Sequence, residues 1–308
     1  MRPTTADGAP LSIELVLDIP LDDLPRGGET ARRGIAEDLR YVYGHELDGD
    51  WLERGSGRDY PTMIAAAHRA LVALDVLDDV RAVVLAVTIP DLQHERLLGG
   101  YVADLFGGRP FTYSVTEQGL AGPFTALRLA HETLCETGGR AVVLAFEQST
   151  VPPGTARLPA RDRIVATVVR HGSDAGRPVL DLDVRRVPRT SAADPVDLPP
   201  TPAGADLAST GAAAVVGSGV VLAAEDLAPD VHRADPGACT TGVWETLAVQ
   251  SAAEPDRAVV VVDACTELGY RCGLVLGPVV TASAPTASPA AEEDADRVGA
   301  PALAGVQG

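Results

Sequence analysis

Four cysteines and six histidines are the first candidates for a nucleophile or base in this 308-residue chain, in which all 25 basic residues other than histidine are arginine and asparagine is absent. A Schiff-base lysine is excluded, and so is any step that needs an asparagine amide. Cys239 sits in a Gly/Thr turn ahead of a helical segment, whose N-terminal dipole would lower a thiol pKa, and it is the best substitute nucleophile. Cys135 falls on an apolar helical stretch, where a cysteine reads as core packing. Cys265 and Cys272 are separated by six residues, there is no CxxC pair, and no metal is expected. His131, one turn from Arg128 and Cys135, reads as a core histidine. His232, near Asp235 in the polar run APDVHRADPG, is the fallback base.

Familiar catalytic signatures are missing. His94-Glu95 and His131-Glu132 lack the second histidine of HExxH. Gly55-Ser56-Gly57 and Gly217-Ser218-Gly219 lack the spacing of a nucleophile elbow. VVGSGVVLAAEDLAPD has two of the three glycines of a dinucleotide turn and no acidic partner after a following strand. Without lysine there is no Walker A motif, and no cofactor is expected.

The elements that must position these residues repeat one theme, an arginine or Asp-Arg followed by a short apolar run: RAVVLAVT (81–88), RAVVLAFEQ (140–148), DRIVATVVR (162–170) and RAVVVVDA (257–264). Continuous apolar runs mark strands covered on both faces. Helical segments are expected over 61–77, 91–106, 122–137, stopped by Gly138 and Gly139, and 242–253. In the third, apolar residues nearly encircle the axis, which predicts a buried helix with its positive end, at Gly122 and Pro123, aimed at an interior site. Tandem strands close each half (140–148 with 162–170, then 257–264 with 270–276), so an internal duplication is expected.

Composition narrows the classes further. The chain is 46% hydrophobic but 4% aromatic, so its core is built from Ala, Val and Leu, and its formal charge is −18. Such a charge repels a phosphate backbone, so nucleic acid is not an expected partner. The longest apolar stretch, 212–224, is interrupted by Gly217 and Gly219 and falls short of the ~18 residues that span a bilayer. No membrane association is expected, no signal-peptide pattern opens the chain, and thiols without a disulfide pattern suit the cytoplasm. Residues 1–10 and the acidic, Ala/Pro-rich 281–308 read as disordered tails. Residues 189–209 read as a long loop.

The segment FTYSVTEQGLAGPFTALRLAHETLCETGGRAVVLAFEQS (111–149) resembles the nucleophile region of thiolase-fold condensing enzymes, most closely the beta-ketoacyl synthase III type. In that family a strand leads through a small-residue turn into a buried helix beginning F-x-x-A-L. ALVALDVLDDVRAVVLAVTIPD (70–91) is similar to the family's helix, strand and "tpd" loop. PGACTTGVWETLA (236–248) and RAVVVVDACTELGYRCGLVL (257–276) look like its G-N-T-S helix and final hairpin. The resemblance implies an α/β chain with a thiolase-like layered αβαβα fold and internal duplication: an N-terminal half over 11–170 and a shortened C-terminal half over 171–280.

Carried over residue by residue, the resemblance removes the catalytic set. The family's cysteine position falls on Leu120, its G-N-T-S asparagine on Ala238, and its histidine strand end has no counterpart. VTEQGLAG also resembles the E-Q-A-G-G turn of chain-length factors, inactive partners of polyketide ketosynthases, which makes Gln118 a candidate wall of a vestigial pocket. The expectation is a non-catalytic subunit paired with an active ketosynthase or acyltransferase in bacterial polyketide or fatty-acyl assembly. The alternatives are an acyltransferase using Cys239 or His232, and a ligand-binding structural homodimer. Acyl carrier protein would dock through the partner, since a −18 chain is a poor dock for an acidic carrier. The family's dimer strand maps to 111–115, so Phe111, Tyr113, Val115 and Phe124 are the expected interface residues.

Overall fold

A computed structural model describes residues 10–26, 29–43, 51, 53, 55–89, 91–92, 97–151, 159–172, 175–187, 211–221, 230–265 and 267–281. The loop expected over 189–209 and the tails 1–9 and 282–308 lie outside these described residues.

The duplication is written in the strand order. The N-terminal strands are β1 (Leu11–Asp18), β2 (Val80–Val87), β3 (Phe111–Thr116), β4 (Arg140–Glu147) and β5 (Arg163–His171). The C-terminal ones are β6 (Arg177–Arg186), β7 (Ala213–Val216), β8 (Val231–Arg233), β9 (Val259–Cys265) and β10 (Tyr270–Leu276). From edge to edge the order is β3-β2-β4-β5-β1-β6-β10-β9-β7-β8. Read inward from either edge, third, second, fourth, fifth and first strands of a half follow one another, so the second half repeats the topology of the first. The halves are joined by two residue pairs, Ser12↔Pro178 and Ile13↔Arg177. In each half the last strand runs antiparallel to the one before it: β5 to β4 and β10 to β9.

Burial on both faces explains the unbroken apolar runs. Along β2, Ala82, Val84 and Ala86 belong to a central core, while Val83 and Leu85 face a second core on the other side. Two helices fill the central layer. α4 (Gly122–Thr137) connects β3 to β4, and α5 (Gly242–Ala253) connects β8 to β9, so they occupy equivalent places in the repeat. They meet through Phe124 and Trp244, ring centroids 4.9 Å apart, both fully buried. The outer core of the N-terminal sheet is closed by α2 (Tyr60–Ala73) together with α3 (Leu98–Leu105); α1 (Glu29–Tyr43) precedes them. A third core, with Val216, Val260 and Val262, lies on the outer face of the C-terminal sheet. Among the described residues no helix lies over it, which makes four of the five expected layers visible. No described helix is long and apolar enough to cross a membrane.

Local signals set the helix ends. Asp59 caps α2 by accepting the Thr62 N–H at 2.9 Å, with Pro61 in the first turn. α4 ends at Gly138, whose φ of 64° is left-handed and whose N–H bonds Leu134 O at 2.8 Å. α2 is shorter than the expected 61–77 and α3 shorter than 91–106, while α4 and α5 match their expected spans.

Several expectations are corrected here. Cys135 is exposed, and His131 is only half buried, because the C-terminal half of α4 turns a face carrying Arg128, Glu132, Cys135 and Glu136 to solvent. The first two turns alone are enclosed. Phe124, expected at an interface between chains, is buried against Trp244 within this one, and Val115 is also buried in the central core. His232 is not in a loop: it lies on edge strand β8, with Nε2 3.3 Å from Asp230, whereas Asp235 pairs with Arg163.

Candidate functional site

The central helices bring their N-terminal ends to one cavity of about 220 Å³, lined by Tyr60, Thr88, Ile89, Gly119, Leu120, Phe146, Glu147, Gln148, Pro159, Cys239, Thr240, Cys265, Glu267 and Leu268. Strand ends and helix starts converge there from both halves, as they do at ligand sites of open α/β sheets. The chain enters α4 through a 3₁₀ turn, Gly119–Ala121, in which Gly119 takes a φ of 53°. A Cβ at Gly119 would stand 3.0 Å from Leu268 Cδ1, so glycine also answers a close approach. Leu120 follows, 4% exposed, and puts an alkyl wall on the cavity just ahead of α4.

The second helix is capped from a distance. Thr241 at the α5 N-cap spends its own hydroxyl on Glu245 at 2.7 Å. Its backbone N–H is instead taken by Glu147 Oε1 at 2.6 Å, and the same oxygen accepts the Thr240 N–H. Among the described residues Glu147 Oε2 has no hydrogen-bond partner, and it faces Arg163 Nε at 3.9 Å. Burial pushes the Glu147 carboxyl above its ordinary range, against the opposing pull of the Thr241 and Thr240 N–H groups and of Arg163. Arg163, nearly buried, also binds Glu245 and Asp235, each at 2.5 Å. One guanidinium thus ties a strand of the N-terminal half to the start of α5.

The opposite wall is pinned similarly. Gln148 donates from Nε2 to Arg58 O at 2.6 Å and to Asp91 Oδ1 at 3.3 Å. Asp91 in turn accepts the Tyr60 N–H at 2.9 Å, and the Tyr60 hydroxyl donates to Ile89 O at 2.7 Å. On the cavity wall the Thr88 and Thr240 hydroxyls hydrogen-bond to each other at 2.9 Å. Beneath Gln148, Asp162 accepts from Ser149 N at 2.8 Å, Ser149 Oγ at 2.7 Å and Ser56 Oγ.

Of the residues considered from sequence, Leu120, Cys239 and Cys265 line the cavity and Ala238 is buried beside Cys239 without lining it. Gln118 does not line it either; its Oε1 accepts the Thr125 hydroxyl at 2.6 Å, one turn into α4. Among the described residues no histidine lines the cavity, and His232 is 3.3 Å from Asp230 at the far edge of the sheet. The sequence reading passed over Glu147, Gln148, Arg163, Thr88 and Thr240. The signal for the first and third was an acid closing, and an arginine opening, strands whose middles are apolar, AVVLAF and IVA.

Fold and site together define a thiolase-fold protein. Solved structures with this fold include AbyA1, a tetronic acid condensing enzyme, at 18% identity and a TM-score of 0.56 over 87% of this chain and 99% of that one. ChlB3, an acyltransferase, is similar at 14% identity and a TM-score of 0.56, over 89% and 99%. The 3-oxoacyl-(acyl carrier protein) synthase III, FabH, of Xanthomonas oryzae is similar at 11% identity and a TM-score of 0.52, over 88% and 99%. No protein-family profile matches the sequence, and no curated protein matches it.

Proposed function

We propose that the chain is a ketosynthase-like subunit without condensing chemistry, working beside an active ketosynthase or acyltransferase in bacterial polyketide or fatty-acyl assembly. The carrying observation is Leu120, an alkyl side chain on the cavity wall at the entrance of α4, in a cavity that no histidine lines among the described residues. Nucleophile, base and amide are all needed for acyl loading and decarboxylation of the condensing kind. At the entrance of α4 the nucleophile position is an alkyl group, among the described residues no histidine lines the cavity, and asparagine is absent from the whole chain. The condensing enzyme, acyltransferase and synthase among the similar folds give the acyl context. Pairing is supported by edge strand β3, which carries the exposed Phe111. Incubated with acyl and malonyl thioesters, the purified chain should gain no stoichiometric adduct by intact mass and release no carbon dioxide.

A second reading has one observation in its favour: Cys239 lines the same cavity just ahead of α5. Its thiol would then take an acyl group from a thioester. Adducts that disappear in Cys239→Ala would establish this acyltransferase reading and overturn the first.

A further inference from the structure

We infer that Cys239 and Cys265 are a redox pair, joined by peroxide into a disulfide within the cavity and released again by a dithiol. The inference is independent of the subunit role proposed above. Both residues line the cavity, and both are reduced in the structure. They come from separate elements, Cys239 from the turn ahead of α5 and Cys265 from the last position of β9. They border one void of about 220 Å³, the room of about seven waters. Exposure sets the order of events. Cys239 is half-buried and Cys265 is buried, so peroxide meets Cys239 first. Its thiolate attacks one peroxide oxygen, the O–O bond breaks, and the departing hydroxide takes up the proton that the thiol lost and leaves as water. The Cys265 thiolate then attacks the sulfenic sulfur, the S–O bond breaks, and a second water departs in the same way. Two exchanges with an external dithiol restore both thiols and oxidise the dithiol. The other two cysteines are poor partners. Cys272 lies two residues beyond Tyr270, the residue paired with Cys265, but burial, and then the neighbouring Asp263, push its thiol far up and keep it protonated. Cys135 is exposed on the solvent face of α4 and does not line the cavity. The bridge would tie the start of α5 to the β9–β10 hairpin.

Trypsin cuts this lysine-free chain after arginine, which places Cys135 (129–140), Cys239 (234–257), Cys265 (258–271) and Cys272 (272–297) on four separate peptides. The full chain, treated with a slight excess of hydrogen peroxide and digested without reduction, should show 234–257 joined to 258–271. Its intact mass should fall by about two units, and dithiothreitol should undo both changes. In Cys265→Ser no second thiol resolves the sulfenic acid, so dimedone should trap about tenfold more of it at Cys239 than in the wild type. A link between 258–271 and 272–297, a link only between chains through Cys135, over-oxidation of Cys239 without a link, or four thiols left unreacted overturns the inference. The wild-type chain alone decides among these, so the test stands whether or not Cys265→Ser folds. Acyl transfer from a thioester adds mass at Cys239 and forms no bridge, so this experiment and the thioester experiment read separately.

Discussion

Glu147 Oε1 accepts the Thr241 backbone N–H at 2.6 Å, so a carboxylate from strand β4 of the N-terminal half caps helix α5 of the C-terminal half. The orphan donors at a helix start are usually met by a side chain a few residues away. Here the cap comes from 94 residues earlier in the chain, and it holds Cys239 and Thr240 at the cavity wall.

Removing that carboxylate should loosen the join between the halves. Glu147→Ala leaves the buried Thr240 and Thr241 N–H groups without this acceptor, while Arg163 keeps Asp235 and Glu245, and should cost about 1–3 kcal/mol per orphaned donor; Glu147→Gln keeps an accepting oxygen and should cost about 1–2 kcal/mol. The pH dependence has a definite sign. Burial raises the Glu147 pKa, so the folded chain holds the proton more tightly than the unfolded chain. Stability tied to this group is therefore complete below the unfolded value and falls as pH rises toward the raised folded one. Glutamine carries no such dependence, so in urea unfolding the deficit of Glu147→Gln should shrink from pH 4 to pH 7. A deficit that grows with pH would mean that Glu147 is stabilised as the carboxylate.

Much of this architecture was legible in the sequence, for a reason seen in β2 and β4. Strands covered on both faces are apolar at every position, and their arginine starts punctuate the repeat. α4 and α5 were legible because glycines and a proline mark their ends. The far partners of polar residues were not legible. Nothing near Glu147 in sequence announces Thr241, and nothing near Gln148 announces Arg58. Cys135 misled because apolar composition around a helix does not say which turns leave the protein: α4 is enclosed for its first turns and exposed on one face thereafter.

Replacing Leu120 by cysteine should restore a thiol without restoring chemistry. The side chain is nearly buried, so Leu120→Cys should fold with a loss of about 1–3 kcal/mol. Condensation should stay at background, since among the described residues no histidine lines the cavity and the chain has no asparagine. A condensation product from malonyl and acyl thioesters would show that another group supplies the base.

Phe124 tests the corrected interior. Its ring is fully buried against Trp244, so Phe124→Ala should cost about 3–5 kcal/mol while leaving the oligomeric state unchanged at a temperature where the variant is folded. Dissociation of a dimer by this variant, without loss of stability, would place Phe124 at a surface between chains.

Strand β3 is where association should be read. It pairs in parallel with β2, from Ala82↔Phe111 to Val87↔Thr116, and among the described residues its other edge has no partner strand. Phe111, 57% exposed, stacks with Tyr113 at 6.3 Å, so two of the chain's few aromatic rings lie on an open edge. An open apolar edge invites pairing with another chain. Tyr113 also packs on the central core, which makes Phe111 the cleaner position for a charge. By light scattering the wild-type chain should be a dimer at micromolar concentration, and Phe111→Arg should shift it to monomer with its circular dichroism unchanged. The same variant should fail to pair with a ketosynthase partner. A wild-type monomer, or a Phe111→Arg dimer as tight as the wild type, would remove this edge as the interface and with it the main physical support for a partner subunit.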